Sequence, residues 1–149
     1  MTAPSTVHGS AVLLAETGIL IRGASGSGKS ALVLELLAAD PERARLVADD
    51  RVVLTTANGR LLAGAPAAIA GLIELRGVGL LRRPFVAPVV IRLVVDFVPA
   101  EAVSRLPEAA AAETAVEGIV LPRLALPIGA AGAALKLRAA LGGLPAIPG

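Results

Sequence analysis

The stretch Gly23-Ala24-Ser25-Gly26-Ser27-Gly28-Lys29-Ser30 constrains this chain more than any other. It fits G-x-x-x-x-G-K-[ST], in which a glycine-rich turn exposes backbone N–H groups and a lysine follows. Before it runs Gly18-Ile19-Leu20-Ile21, an apolar strand former. After it runs Ala31-Leu32-Val33-Leu34-Glu35-Leu36-Leu37-Ala38, built of strong helix formers. Strand, glycine loop and helix in that order bring a phosphate to the positive end of a helix. Lys29 would reach the outer phosphates, and the Ser30 hydroxyl would ligate Mg²⁺. A solvent-facing glycine turn is the competing explanation, and the flanking strand and helix weigh against it. The loop predicts a nucleotide or phosphate ligand; it does not name a reaction.

Composition then removes several chemistries. The sequence has 149 residues, which suits one domain over 1–149 with a real core and a flexible tail at 142–149. Hydrophobic residues make up 55% and charged residues 17%, so the chain is expected to fold. Phe85 and Phe97 are its only aromatic residues, too few for the stacking platforms that hold single-stranded nucleic acid. Net charge is only +2 and the arginines are scattered, so no nucleic-acid partner is expected. With no cysteine and one histidine, His8, thiolate zinc sites, cysteine nucleophiles and multi-histidine sites are all excluded. The chemistry falls to hydroxyls, carboxylates, Lys and Arg. The uncharged runs Leu61 to Ile73 and Leu124 to Leu135 fall short of the ~20 apolar residues of a spanning helix. The N-terminus lacks a basic region followed by an apolar core. A cytoplasmic protein with no membrane partner is the expectation.

Periodicity and turn residues give a coarse order of elements. Ala11–Ala15 and Ile19–Arg22, split by Glu16-Thr17-Gly18, predict an antiparallel hairpin feeding the glycine loop. The helix after the loop should end near Ala39, because Pro41 disfavours helix at Asp40. Arg45 to Asp50 predicts a short buried strand, and Val52–Thr55 with Arg60–Leu62 around Asn58-Gly59 predicts a second hairpin. Pro66 to Ile73 reads as a short helix over the sheet, leading into a tight loop at Glu74–Leu80. Val89 to Phe97 reads as a strand buried on both faces. Pro99 to Ala115 reads as partly helical, Gly118 to Pro127 as an extended edge segment, and Ala130 to Leu141 as a final helix.

Three constellations bear on chemistry. Asp49-Asp50 follows Ser30 at the end of an apolar strand, where one acid can hold Mg²⁺ and the other can take a proton from an attacking hydroxyl. Without the glycine loop, an exposed strand end would explain the pair equally well. Glu74-Leu75-Arg76-Gly77 puts a carboxylate and a guanidinium on one face, as a Mg²⁺ ligand and a phosphate stabiliser or as a surface ion pair. His8 sits before Gly9-Ser10 near a frayed terminus, and solvation is its default. Arg105 and Arg123 stand in otherwise apolar or Pro-containing segments, where solvation is again the default.

Taken together, His8-Gly9-Ser10, the loop Gly23–Ser30, Leu46-Val47-Ala48-Asp49-Asp50 and Glu74-Leu75-Arg76-Gly77-Val78-Gly79 resemble HPr kinase/phosphorylase. The motifs occur in that family's order, and the resemblance covers the catalytic domain without the usual N-terminal domain, as in a short form. It implies an α/β fold: a P-loop nucleotide-binding domain of the HPr kinase/PEP-carboxykinase-like type, with a mixed sheet, β-hairpins and a P-loop helix. It also implies phosphate transfer from ATP, with Mg²⁺, to a serine of the phosphocarrier HPr of the sugar phosphotransferase system, and removal of that phosphate by phosphorolysis. Carried onto this chain, Lys29 would bind phosphates, and Ser30 with Glu74 and Asp49 would serve the metal. Asp50 would be the base, with His8 beside it, and Arg105 the downstream catalytic arginine. The segment around Arg123 would match the one tied to dephosphorylation, and a homo-oligomer, hexameric in the family, is implied. Ala24 stands where the family often has Asp.

Two other readings stay open at this point. One is a P-loop small-molecule kinase, for which Leu81-Arg82-Arg83-Pro84 is the sole candidate lid. The other is a nucleotide-binding or ATPase switch module without transfer. The absence of N-K-x-D and of L-S-G-G-Q lowers that second reading.

Overall fold

Two apolar runs separated by two residues form the hairpin at the centre of the molecule, β2 (Ser10–Leu14) and β3 (Thr17–Arg22). The structure is a computed structural model, describing residues 3–105 and 112–143. A strand not foreseen, β1 (Ser5–His8), precedes the hairpin and pairs antiparallel with β5 (Arg51–Ala57), so His8 lies on a sheet edge and not on a frayed end. The helix α1 (Lys29–Ala39) follows the glycine loop and stops at Asp40, whose N–H bonds Leu36 O at 3.1 Å before Pro41. After it, β4 (Ala44–Ala48) returns antiparallel to β2. Asn58 and Gly59, both at positive φ, join β5 to β6 (Arg60–Gly64) as the sequence predicts.

Next come the hairpin of β7 (Leu72–Leu75) and β8 (Gly79–Arg82), which forms a separate two-stranded sheet, and the long β9 (Val89–Val98). The chain closes with β10 (Glu113–Val116), β11 (Ile119–Pro127) and α2 (Ala133–Gly143). β9 organises the main sheet. One of its edges is taken by β3 in parallel; its other ladders run to antiparallel β6 at Val89–Val90 and to parallel β11 at Val94–Val98. The result is a mixed, nine-stranded sheet that curls.

Alternation explains the two cores. Ile19, Ile21, Leu93, Val95 and Phe97 face α1 and α2, where they meet Leu32, Leu36 and Leu137. Leu20 and Val94 face the other way, against Val52, Leu54 and Leu61 of β5 and β6 and Val116 and Leu121 of β10 and β11. Each such side chain contributes about 1.5–3 kcal/mol on burial, which is how a chain with two aromatic residues builds a core.

Two expectations need correction, those for Pro66 to Ile73 and for Gly118 to Pro127. Pro66 to Ile73 is not a helix over the sheet: only Ala67–Ile69 makes a 3₁₀ turn, and Ile73 enters the core from a strand. Within Pro99 to Ala115 the described residues hold the 3₁₀ turn Ala100–Ala102, and Glu113–Ala115 belong to β10; positions 106–111 lie outside the described residues. Gly118 to Pro127 is extended, but it is not a free edge, since β11 pairs with β10 through Ile119–Pro122 and with β9 through Arg123–Pro127. Gly142 and Gly143 belong to α2, while 144–149 of the expected tail lie outside the described residues. No helix among the described residues is long and apolar enough to cross a membrane.

Candidate active site

The glycine loop bridges β3 and α1 under tight steric limits. A Cβ on Gly23 would stand 2.6 Å from Ser27 Oγ and 2.9 Å from Phe97 Cβ, at φ +156°. Only glycine fits there. Lys29 is 7% exposed, and its Nζ donates to Gly23 O and Ala24 O at 2.8 Å each. Burial lowers its pKa from the ordinary lysine value, and the charges of Asp49 and Asp50 act against that. Gly28 caps α1 without a side chain, and the first turn holds no acid, so its N–H groups stay open to an anion. Ser27 Oγ is buried with no hydrogen-bond partner.

Facing the loop, the two neighbouring acids point in opposite directions because of a bulge. Ala11 pairs with Ala48 but Val12 pairs with Leu46, so β4 carries one extra residue. Leu46 faces the helices, whereas Val47 and Ala48 both face the second core. That extra residue shifts the alternation and brings Asp49 round to the helix side. There its buried carboxylate takes three donors: Ser10 Oγ at 2.6 Å from Oδ1, Ser30 Oγ at 2.9 and 3.0 Å from the two oxygens, and Glu74 N at 3.3 Å from Oδ2. Asp50 sits at φ +68° and turns outward, its side chain 71% exposed. His8 Nδ1 lies 3.1 Å from Asp50 O and 3.6 Å from Asp50 Oδ1.

These groups line one cavity of about 280 Å³ with Ser25, Gly26, Gly28, Lys29, Glu74 and Arg76. The β7–β8 hairpin brings in the last two. Among the described residues neither Glu74 nor Arg76 forms an ion pair, so the surface-pair explanation does not hold. The Arg76 guanidinium lies 3.8 Å from where a Cβ on Gly26 would be, so it leans over the loop tip. Gly77 is in the hairpin turn at φ +87°.

Arg105 is exposed and does not line the cavity, and Arg123 is elsewhere. Arg123 Nε reaches Asp96 Oδ2 at 2.6 Å, while Arg22 binds the same carboxylate through Nε at 2.7 Å and Nη2 at 2.9 Å. Burial pushes Asp96 up, but hydrogen bonds from Arg22 and Arg123 and their charges outweigh it and hold the group below the ordinary carboxylate range. The Asp96 hydrogen bond in turn raises Arg22 against its own burial.

Asp96 and Arg22 escape a motif-based reading, and Ser10, though it stands in His8-Gly9-Ser10, is given no role by that motif. Each nonetheless leaves a trace, a polar residue within or at the end of a largely apolar strand. Ser10 shares the helix-facing side of β2 with Val12 and Leu14.

Among the described residues no three His, Asp or Glu side chains converge as a metal cage. The donor set still fits a hard cation that keeps several waters and takes one or two protein oxygens beside phosphate. Ser30, Asp49, Asp50 and Glu74 are oxygen donors, and the open helix start with Lys29 supplies the phosphate side.

Strand, glycine loop and helix on a mixed curled sheet define an α/β domain of the P-loop architecture. Residues 1–136 match the family described as HPr Serine kinase C-terminal domain, and the chain belongs to that family. It is 42% identical over 83 residues to an HPr kinase/phosphorylase of Clostridium tetani (strain Massachusetts / E88), covering 55% of this chain and 26% of that protein. An HPr kinase/phosphorylase of Lactococcus lactis subsp. lactis (strain IL1403) is 46% identical over 78 residues, covering 52% and 24%. The matched region thus spans about a quarter of these relatives. In fold it is similar to the Hpr(Ser) kinase/phosphatase from Coxiella burnetii, with a TM-score of 0.79 over 93% of this chain and 89% of that one, at 24% identity.

Proposed function

We propose that this chain is an ATP- and Mg²⁺-dependent protein-serine kinase acting on the phosphocarrier HPr, and that the reverse phosphorolysis uses the same residues. Family membership supports the acceptor. The observation that carries the reading is Asp50, an outward carboxylate beside His8 at a cavity whose other wall is the glycine loop. A serine hydroxyl is a weak nucleophile at neutral pH, and a positioned base speeds such a step by typically 10²–10⁴-fold. Asp50 takes the hydroxyl proton as the serine oxygen bonds the terminal phosphorus of ATP, ADP leaving; His8 fixes the Asp50 backbone and carboxylate. Lys29, with the loop N–H groups, holds the phosphates, and Arg76 meets the charge of the transferred group. Mg²⁺, held through Ser30 with Asp49 and Glu74 nearby, would neutralise phosphate charge. We further propose a cytoplasmic homo-oligomer, for which exposed Val78, Leu80 and Leu135 supply apolar surface.

Incubation with ATP, Mg²⁺ and purified HPr tests this, with mass spectrometry to locate phosphoserine. The reading predicts one phosphoserine on HPr, lost in Asp50→Asn with nucleotide binding retained. Phosphorylation of a small metabolite but not of HPr would move the reading to a small-molecule kinase.

A further inference from the structure

Ser10 is fully buried, and its hydroxyl donates to Asp49 Oδ1 at 2.6 Å, shorter than the bond from Ser30. Its place is set by the sheet. Ser10 pairs with Ile21, at the end of the strand that feeds the loop, and lies beside the bulge that turns Asp49 inward. Ser30 can offer its oxygen lone pairs to a cation only while its proton is directed at an acceptor. Asp49 is that acceptor. Its two oxygens are shared among Ser10, Ser30 and the Glu74 N–H, so the carboxylate's rotation decides whether Ser30 is aimed.

We propose that Ser10 is a positioning residue for cation binding: its hydroxyl locks the Asp49 carboxylate, which in turn directs Ser30 and anchors the backbone of the β7–β8 hairpin at Glu74. The inference rests on reading the cavity as a Mg²⁺–nucleotide site. Ser10 is fully buried and hydrogen-bonds Asp49. Its effect passes through Asp49, as supporting hydrogen bonds behind a ligand commonly do. The Asp49–Glu74 bond extends that effect to Arg76, two residues along, so one buried hydroxyl aligns groups from β2, α1 and β7.

The test is a Mg²⁺ titration of fluorescent ATP-analogue binding to wild type, Ser10→Ala and Ser10→Cys, repeated in EDTA. Cysteine keeps the volume but is a weak donor, so it decides the matter if alanine disturbs folding. The expected result is a Mg²⁺ midpoint raised about 10-fold or more in both variants, with unchanged nucleotide affinity in EDTA. Ser10→Thr, which keeps the hydroxyl, should retain the wild-type midpoint. Wild-type midpoints in folded Ser10→Ala and Ser10→Cys would overturn the inference, as would an equal loss of affinity in EDTA or a wild type indifferent to Mg²⁺. Failure of HPr phosphorylation with these Mg²⁺ effects intact would refute the acceptor assignment and leave Ser10's role standing.

Discussion

Asp49 and Asp96 are both buried aspartates at the carboxyl ends of strands flanking the glycine loop, yet their surroundings differ in kind. Asp96 is bracketed by the guanidinium groups of Arg22 and Arg123. Among the described residues, the hydrogen-bond donors that reach Asp49 are neutral, two hydroxyls and a backbone N–H. Two cations beside one anion use up its charge, and the cluster ties β3, β9 and β11 together beneath the loop. Neutral donors orient a carboxylate without cancelling it, and leave its field for a cation in the cavity. Burial is common to the two acids; the charge of what surrounds them is what differs.

Breaking each side in turn should separate the two roles. The largest effect is expected at Asp50, the outward neighbour of Asp49: Asp50→Asn should lower phosphate transfer by about 10²–10⁴-fold, measured as initial rates on HPr, with the melting temperature unchanged. Next, Asp96→Ala removes the carboxylate that Arg22 and Arg123 both bond. Fully buried pairs cost 3–5 kcal/mol when broken; these partners are partly exposed, so about 2 kcal/mol is expected in denaturant unfolding.

The same cluster gives a pH signature. The Asp96 carboxyl is held low in the folded chain, so its contribution is fully present above the unfolded value of about 3.9 and is lost as pH falls through the lower folded value. Acid unfolding of wild type should therefore be steeper in that window than that of Asp96→Asn, followed by circular dichroism. The smallest effect is expected for Thr114→Val, which removes a 3.3 Å bond to Arg22 Nη2. It should cost about 0.5 kcal/mol and leave transfer untouched.

How much of this the sequence discloses depends on whether the information is local. The glycine loop and its flanking strand and helix are written in consecutive residues, as are both hairpin turns, and those elements form where expected. The opposite orientations of Asp49 and Asp50 are not local: they come from a bulge visible only when β4 is laid against β2. Ser10 and Asp49 are 39 residues apart and Arg22 and Asp96 are 74 apart, so no motif joins them. Ile73 shows the opposite failure. Ala67-Ala68-Ile69-Ala70 favours helix locally, but Gly71 and the pull of the core on Ile73 convert the rest into a strand.

The contrast between the aspartates is tested most directly by Asp49→Asn and Asp96→Asn in two parallel assays, Mg²⁺-dependent ATP-analogue binding and thermal unfolding. Asp49→Asn should raise the Mg²⁺ midpoint about 10–100-fold with melting close to wild type. Asp96→Asn should melt several degrees lower with the wild-type Mg²⁺ midpoint. Loss of Mg²⁺ response in both variants, or loss of stability alone in Asp49→Asn, would contradict it.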